Sequence, residues 1–316
     1  MSQITMLLAA MMSMAEKVSG GHLTRQAYES TVRMFVAFAA AAGFTHMRSV
    51  RDIRVRHLRA FIAKRLEARR GKSKRRLQNI ASHLRRMLRE ANCHSVADAR
   101  EFTNRSLGIG GASRKGTKVA LTDEEYERIR ALAFKQGRPG MSAILRLEKC
   151  FGLRGNEAIW AQSDTLERWL VEIVRDGVIG VYAGTKGGKP RAVPVLDLAE
   201  AIGAVTEALA VARVQNGFLV VRKNGKPSGG LKQAKSLYHG WAHRAGFQPH
   251  SARYTFAQAR QEALRTKGFS ERETNQIVGL ALGHGDGRGR WVEGVYGSRE
   301  NPTLDTKDED SGPGKQ

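Results

Sequence analysis

Residues 106–118 read SLGIGGASRKGTK, a stretch rich in glycine and serine, basic, and without apolar periodicity. It is the one clear linker in the chain and sets a domain boundary, because boundaries fall where few side chains can pack. The sequence on its two sides differs in kind. Before it, residues 1–105 read as helix after helix. After it, residues 119–300 mix helix with short strand patterns, and residues 301–316 form a tail.

On the upstream side, Ala27, Val32, Phe35, Val36 and Phe38 recur at helical spacing over 24–42, with Gly43 as the stop. Further helices are expected over 55–69 and 73–91. Leu7, Leu8, Met11, Met12 and Met14 suit an amphipathic helix better than an export signal. No basic segment precedes them, and Glu16 and Lys17 follow directly. Between Arg48 and Arg89 stand sixteen lysines and arginines against two acids, Asp52 and Glu67. Such a run is often only a solvated face. Here the charges share helices with apolar faces, Leu58, Phe61, Ile62 and Leu66 on one and Leu77, Ile80, Leu84 and Leu88 on the next. A folded, basic, DNA-gripping domain follows, with Arg69, Arg70, Lys72, Lys74, Arg75 and Arg76 as its candidate DNA contacts.

The whole chain repeats that bias. Its 316 residues carry 53 Lys+Arg and 30 Asp+Glu, a formal net charge of +23. A surface this basic repels itself and is matched by a polyanion that releases counterions on binding. Nucleic acid is favoured over an anionic membrane, since no apolar run is long enough to span a bilayer. The two cysteines, Cys93 and Cys150, lie far apart. They exclude a disulfide framework and a cysteine-based zinc site, and they suit a reducing cytoplasm.

Downstream of the linker, Thr122 and Glu125 form a capping-box pattern at the start of a helix. Residues 169–175 (WLVEIVR), 177–182 and 191–195 read as strands, the last two joined by the glycine-rich turn 184–190. Helices resume over 198–213 and from Tyr254 onward. The fold class expected is α+β, mainly α with a small antiparallel β-sheet. The tail combines proline, glycine and the acidic Asp308, Glu309 and Asp310, and reads as disordered.

Four islands in this half carry chemistry: CFGLRGNE over 150–157, the turn lysine Lys186, His250-Ser-Ala-Arg253, and Leu282-Gly283-His284 leading to Tyr296. Singly, each has an ordinary explanation as a surface charge, a soluble turn or a packing ring. Together and in this order, they are the parts needed for phosphoryl transfer without a metal. Guanidinium groups meet the charge that grows on the phosphate oxygens with permanently ionised, bidentate donors. A phenol, with a pKa of about 10, gives up its proton far more readily than serine or water. A lysine on a hairpin can return a proton to the departing deoxyribose oxygen. Nearby histidines can assist the phenol or bind the phosphate.

These islands resemble the tyrosine recombinases of the phage-integrase and Xer type, over about residues 119–297. The resemblance makes Arg154 the first arginine, Glu157 its orienting acid, and His250 and Arg253 the His-x-x-Arg box. It makes His284 the Leu-Gly-His histidine and Tyr296 the nucleophile. Lys186 matches the hairpin lysine better than Lys189 does. It further implies a SAM-like helical core-binding domain before the linker and a catalytic domain after it. The implied reaction cleaves and rejoins DNA through a 3′-phosphotyrosyl intermediate and a free 5′-hydroxyl, to integrate or excise a mobile element. Its partners would be double-stranded DNA and a homotetramer on two sites, with room for a directionality factor, and no membrane, metal or nucleotide cofactor. Two intervals, Arg253 to His284 and His284 to Tyr296, are longer than the family usually has, the second holding GDGRGR. Tyr254 is better suited to packing than to attack. The alternatives are a type IB-like topoisomerase or resolvase, and a non-catalytic DNA-binding accessory protein.

Overall fold

Apolar side chains at helical spacing must bury a stripe against a neighbour, and in this chain they do so in two separate cores. The structure, a computed structural model, describes residues 2–68, 74–112, 119–222, 224–284 and 289–296. Contacts divide it into two units between residues 113 and 114.

The first unit is helical: α1 (Gln3–Val18), α2 (His22–Ala41), α3 (Val55–Glu67), α4 (Lys74–Glu90) and the single turn α5 (His94–Ala97). The amphipathic N-terminal segment is a helix, with Leu7 and Met11 fully buried as α1 packs on α2 and α4. Phe35 of α2 meets Phe61 of α3 edge-on at 5.4 Å. Helix α4 turns Leu77, Ile80, Leu84 and Leu88 inward and leaves Lys74, Arg75 and Arg76 exposed. Arg69, Arg70 and Lys72 lie outside the described residues.

The linker expectation needs correction at its start. Ile109 is fully buried in the first unit's core, Leu107 packs against that core, and Gln78 Nε2 donates to the Ile109 carbonyl at 2.8 Å. Two apolar side chains are too few to show periodicity, yet enough to tie residues 106–112 to α4 and its neighbours. Residues 113–118 and the tail 301–316 lie outside the described residues.

The second unit holds α6 (Asp123–Lys135), α7 (Pro139–Phe151), α8 (Gly155–Ile159), α9 (Ser163–Asp176), β1 (Val178–Val181), β2 (Arg191–Pro194), α10 (Leu198–Val214), α11 (Leu231–Arg244), α12 (Ser251–Thr266), α13 (Glu271–Ala281) and α14 (Gly289–Tyr296). The Thr122–Glu125 capping box opens α6, its two reciprocal bonds both 3.1 Å. Helix α7 is buried on nearly every side and is the centre of the unit, packed by α6, α10 and α12.

Residues 169–175 are helix, not strand. They belong to α9, which buries Leu166, Trp169 and Ile173 and leaves Val171 and Val174 exposed. The window WLVEIVR is rich in β-branched residues, and the spacing of three and four shows only when Leu166 is included. β1 and β2 form the small antiparallel sheet, with Val178 opposite Pro194 and Val181 opposite Arg191. The long interval from Arg253 to His284 is taken up by α12, the turn at 267–269 and all of α13. Among the described residues, no helix is long and apolar enough to cross a membrane.

Candidate active site

A buried carboxylate organises the site. Arg154 caps α8, and Glu157, three residues on, accepts its backbone N–H at Oε2 (2.7 Å) and its Nη1 at Oε1 (2.8 Å). Arg191, the first residue of β2, donates Nη1 and Nη2 to the same two oxygens at 2.6 and 2.7 Å. Burial pushes the Glu157 carboxyl up, but the Arg191 hydrogen bonds and charge, with the Arg154 backbone N–H and charge, outweigh it and hold the carboxyl below its ordinary value. Glu157 is therefore an ionised, enclosed counter-charge for two guanidinium groups.

The C-terminal end of α13 gathers three arginines. A helix end leaves backbone carbonyls unpaired and carries partial negative charge, which suits guanidinium donors. Arg191 Nε donates to the Ala281 carbonyl at 3.0 Å. Arg154 Nη2 donates to the carbonyls of Leu282 (3.1 Å) and Gly283 (3.3 Å). Arg253, on α12, donates Nη2 to the Leu282 carbonyl and Nη1 to that of Gly152. Gly283 has a left-handed backbone (φ +65°), and a Cβ there would stand 2.8 Å from Arg191 Cδ and 3.5 Å from Arg154 Nη1. Only glycine leaves room there for the Arg191 side chain.

Arg253 is 1% exposed. Burial pushes it down to about 10, against the pull of Tyr296, so it remains a cation at neutral pH. Tyr296 ends α14 and is 3% exposed, its hydroxyl 3.3 Å from His284 Nε2. Its ring meets that of the buried Tyr254 at a tilt of 42°, centroids 4.5 Å apart. Val292, buried against Gly279 of α13, docks the helix that carries Tyr296.

The structure thus brings Arg154, Arg253, His284 and Tyr296 together. His250 is the N-cap residue of α12, one turn before Arg253, and is half-buried. Lys186 stands exposed in the β1–β2 turn, as does Lys189. The base of that turn is nonetheless fixed beside the site: a Cβ on Gly184 would lie 2.6 Å from the Asn156 carbonyl of α8. Arg191 is the residue that the sequence reading missed. Strand alternation was the available signal, since Arg191 shares a face with the buried Val193. Among the described residues, no group of three His, Cys, Asp or Glu side chains is arranged to hold a metal ion.

Comparison with known proteins adds to this geometry. A family model described as integrase matches residues 108–259, which include Arg154, Lys186, His250 and Arg253. A second, described as phage integrase, N-terminal, matches residues 4–97. No curated protein sequence matches the chain. Among solved structures, the chain is similar to a lambda integrase tetramer bound to a Holliday junction (18% identity, TM-score 0.60, 95% of this chain and 80% of that one). It is also similar to the Tn1549 transposon integrase in complex with transposon right end DNA (15%, 0.60, 95% and 96%). The XerH site-specific recombinase bound to its difH substrate is a third (18%, 0.54, 92% and 81%). At such identities the likeness to these structures is one of fold.

Proposed function

Because the chain belongs to the phage integrase family of tyrosine recombinases, enzymes that cleave and rejoin DNA, we propose that Tyr296 is its nucleophile. The observation that carries this is the 3.3 Å separation of the Tyr296 hydroxyl from His284 Nε2, beside the cluster of Arg154, Glu157, Arg191 and Arg253. The tyrosine oxygen attacks the scissile phosphorus, and the bond from phosphorus to the 5′ oxygen breaks. The products are a 3′-phosphotyrosyl linkage and a free 5′-hydroxyl. A second 5′-hydroxyl then reverses the step and rejoins the strands.

In this reading Arg154 and Arg253 stabilise the charge that develops on the non-bridging oxygens, a task suited to fixed donors in a site poor in water. His284 accepts the phenol proton, and His250 hydrogen-bonds the phosphate. Lys186 protonates the departing 5′ oxygen from the turn based at Gly184. With Tyr296 only 3% exposed, α14 must shift when DNA docks, which also opens the path to Arg253. The substrate is double-stranded DNA bearing the target sites, gripped in part by Lys74, Arg75 and Arg76. The working assembly is a tetramer on two sites, as in the lambda integrase structure, and the working compartment is the cytoplasm. Formation of a covalent protein–DNA complex by the wild-type chain, and its loss in Tyr296→Phe, tests the assignment.

A further inference from the structure

Glu157 has more partners than a simple orienting acid needs. An ionised carboxylate offers about four lone-pair positions. All four are occupied here, two by the backbone and Nη1 of Arg154 and two by Nη1 and Nη2 of Arg191. The two arginines do not share it equally. Arg191 chelates both oxygens, at 2.6 and 2.7 Å, and its side chain is 7% exposed. Arg154 makes one side-chain bond to Glu157 at 2.8 Å, turns its other end to the α13 carbonyls, and is 18% exposed. The charges follow the same division. Glu157 with Arg154 alone is a neutral pair, whereas Glu157 with both arginines carries one net positive charge.

We propose that Arg191 is a positioning residue for strand cleavage: by chelating and neutralising Glu157, it leaves the charge of Arg154 available to the scissile phosphate. Without Arg191, the fork geometry that guanidinium and carboxylate share would draw Arg154 into the bidentate place and away from the DNA. Arg191 does this from inside the protein and touches no substrate itself. The inference rests on the recombinase reading of the site and extends it to a residue outside the set of reacting groups.

A simpler role is conceivable on the same contacts. Arg191 begins the strand that follows Lys186, and its Nε donates to Ala281, so it could merely pin the hairpin. The two roles separate by charge. The experiment measures covalent-complex formation in single turnover on a nicked DNA site, with melting and DNA affinity followed for each variant. Arg191→Gln is expected to slow the step by about 100-fold, the scale of losing one transition-state donor, with affinity little changed. Adding Glu157→Gln removes the negative charge, keeps an acceptor oxygen for Arg154, and should recover about tenfold or more of that rate. Arg191→Lys, which keeps the charge without the chelate, should lose about tenfold or less.

A sulfur leaving group at the 5′ position needs little protonation, so it should not rescue Arg191→Gln. The proposal is overturned if Arg191→Lys is as slow as Arg191→Gln, if the double variant is no faster than Arg191→Gln, or if the sulfur substrate restores the rate. Should Arg191→Gln fail to fold, the Arg191→Lys rate decides alone. A covalent complex in the wild type that is absent in Tyr296→Phe keeps the recombinase reading intact whichever way Arg191 behaves.

Discussion

Replacing Gly283 by alanine adds one methyl group at the most crowded point of the site. The residue has φ +65°, a conformation that costs a side-chain-bearing residue about 1–2 kcal/mol. The new Cβ would also stand 2.8 Å from Arg191 Cδ, which cannot simply swing aside. Its guanidinium is held at 2.6, 2.7 and 3.0 Å by Glu157 and the Ala281 carbonyl. An ordinary carbon–carbon contact of about 3.5–4.0 Å requires Arg191 to retreat by roughly 1 Å. Loosening part of a buried ion pair raises the total to about 3 kcal/mol, the lower end of the roughly 3–5 kcal/mol for losing a partner outright. For a unit of this size, that lowers the melting midpoint by roughly 6–12 °C. Misplacing the arginines by about 1 Å should slow covalent-complex formation by about 100-fold. Gly268→Ala is the control: its φ is +84°, but a Cβ there meets nothing within 4 Å, so only the backbone strain remains and cleavage should hold. Thermal unfolding and a single-turnover cleavage assay read both effects. Equal melting points for the two variants, with unchanged cleavage by Gly283→Ala, would refute the crowding argument.

Other substitutions probe separate parts. Lys186→Ala should slow cleavage of ordinary DNA strongly, and a sulfur leaving group should largely restore it; rescue of Lys189→Ala instead would identify Lys189 as the proton donor. Charge reversal at Arg75 and Arg76 should weaken DNA binding and flatten its salt dependence in a binding titration, while a pre-bound complex cleaves normally. Glu148 of α7 is fully buried and accepts the Tyr238 hydroxyl at 2.6 Å, and burial pushes its carboxyl well above 4.5. A raised folded value favours the fold below pH 4.5 and costs stability progressively as pH rises from there toward the folded value. Glu148→Gln should therefore raise the melting point at pH 8 and leave it nearly unchanged at pH 4, and a gain of equal size at both would contradict the buried neutral acid.

Features decided by neighbours in sequence were legible in advance. The capping box at Thr122 and Glu125 is a local pattern and formed as such. The turn between β1 and β2 was visible in its glycines, and α2, α4 and α10 in their apolar spacing. Local composition misled where it was ambiguous, as in α9, whose valines suit a strand while its buried residues keep helical spacing. The arginine cluster was only half legible. Arg154 and Arg253 carry recognisable surroundings, but the role of Arg191 depends on Glu157 and on the Ala281 carbonyl, 34 and 90 positions away. No window on the sequence contains all three, and only folding brings a strand, a helix start and a helix end to one carboxylate. Ile109 was hidden for the opposite reason: a single apolar residue among glycines shows no period, yet it fills a place in the core.

The central claim is that Tyr296 attacks DNA, and its most direct measurement is a denaturing gel of the chain incubated with a nicked suicide substrate carrying its target site. Tyr296→Phe removes one oxygen and leaves the ring on Tyr254, so folding and DNA binding should stay near those of the wild type. The wild type should give a protein–DNA band in the presence of a chelator, and Tyr296→Phe should give none. A band that persists in Tyr296→Phe, or a wild type that binds its site and never forms one, would contradict the assignment.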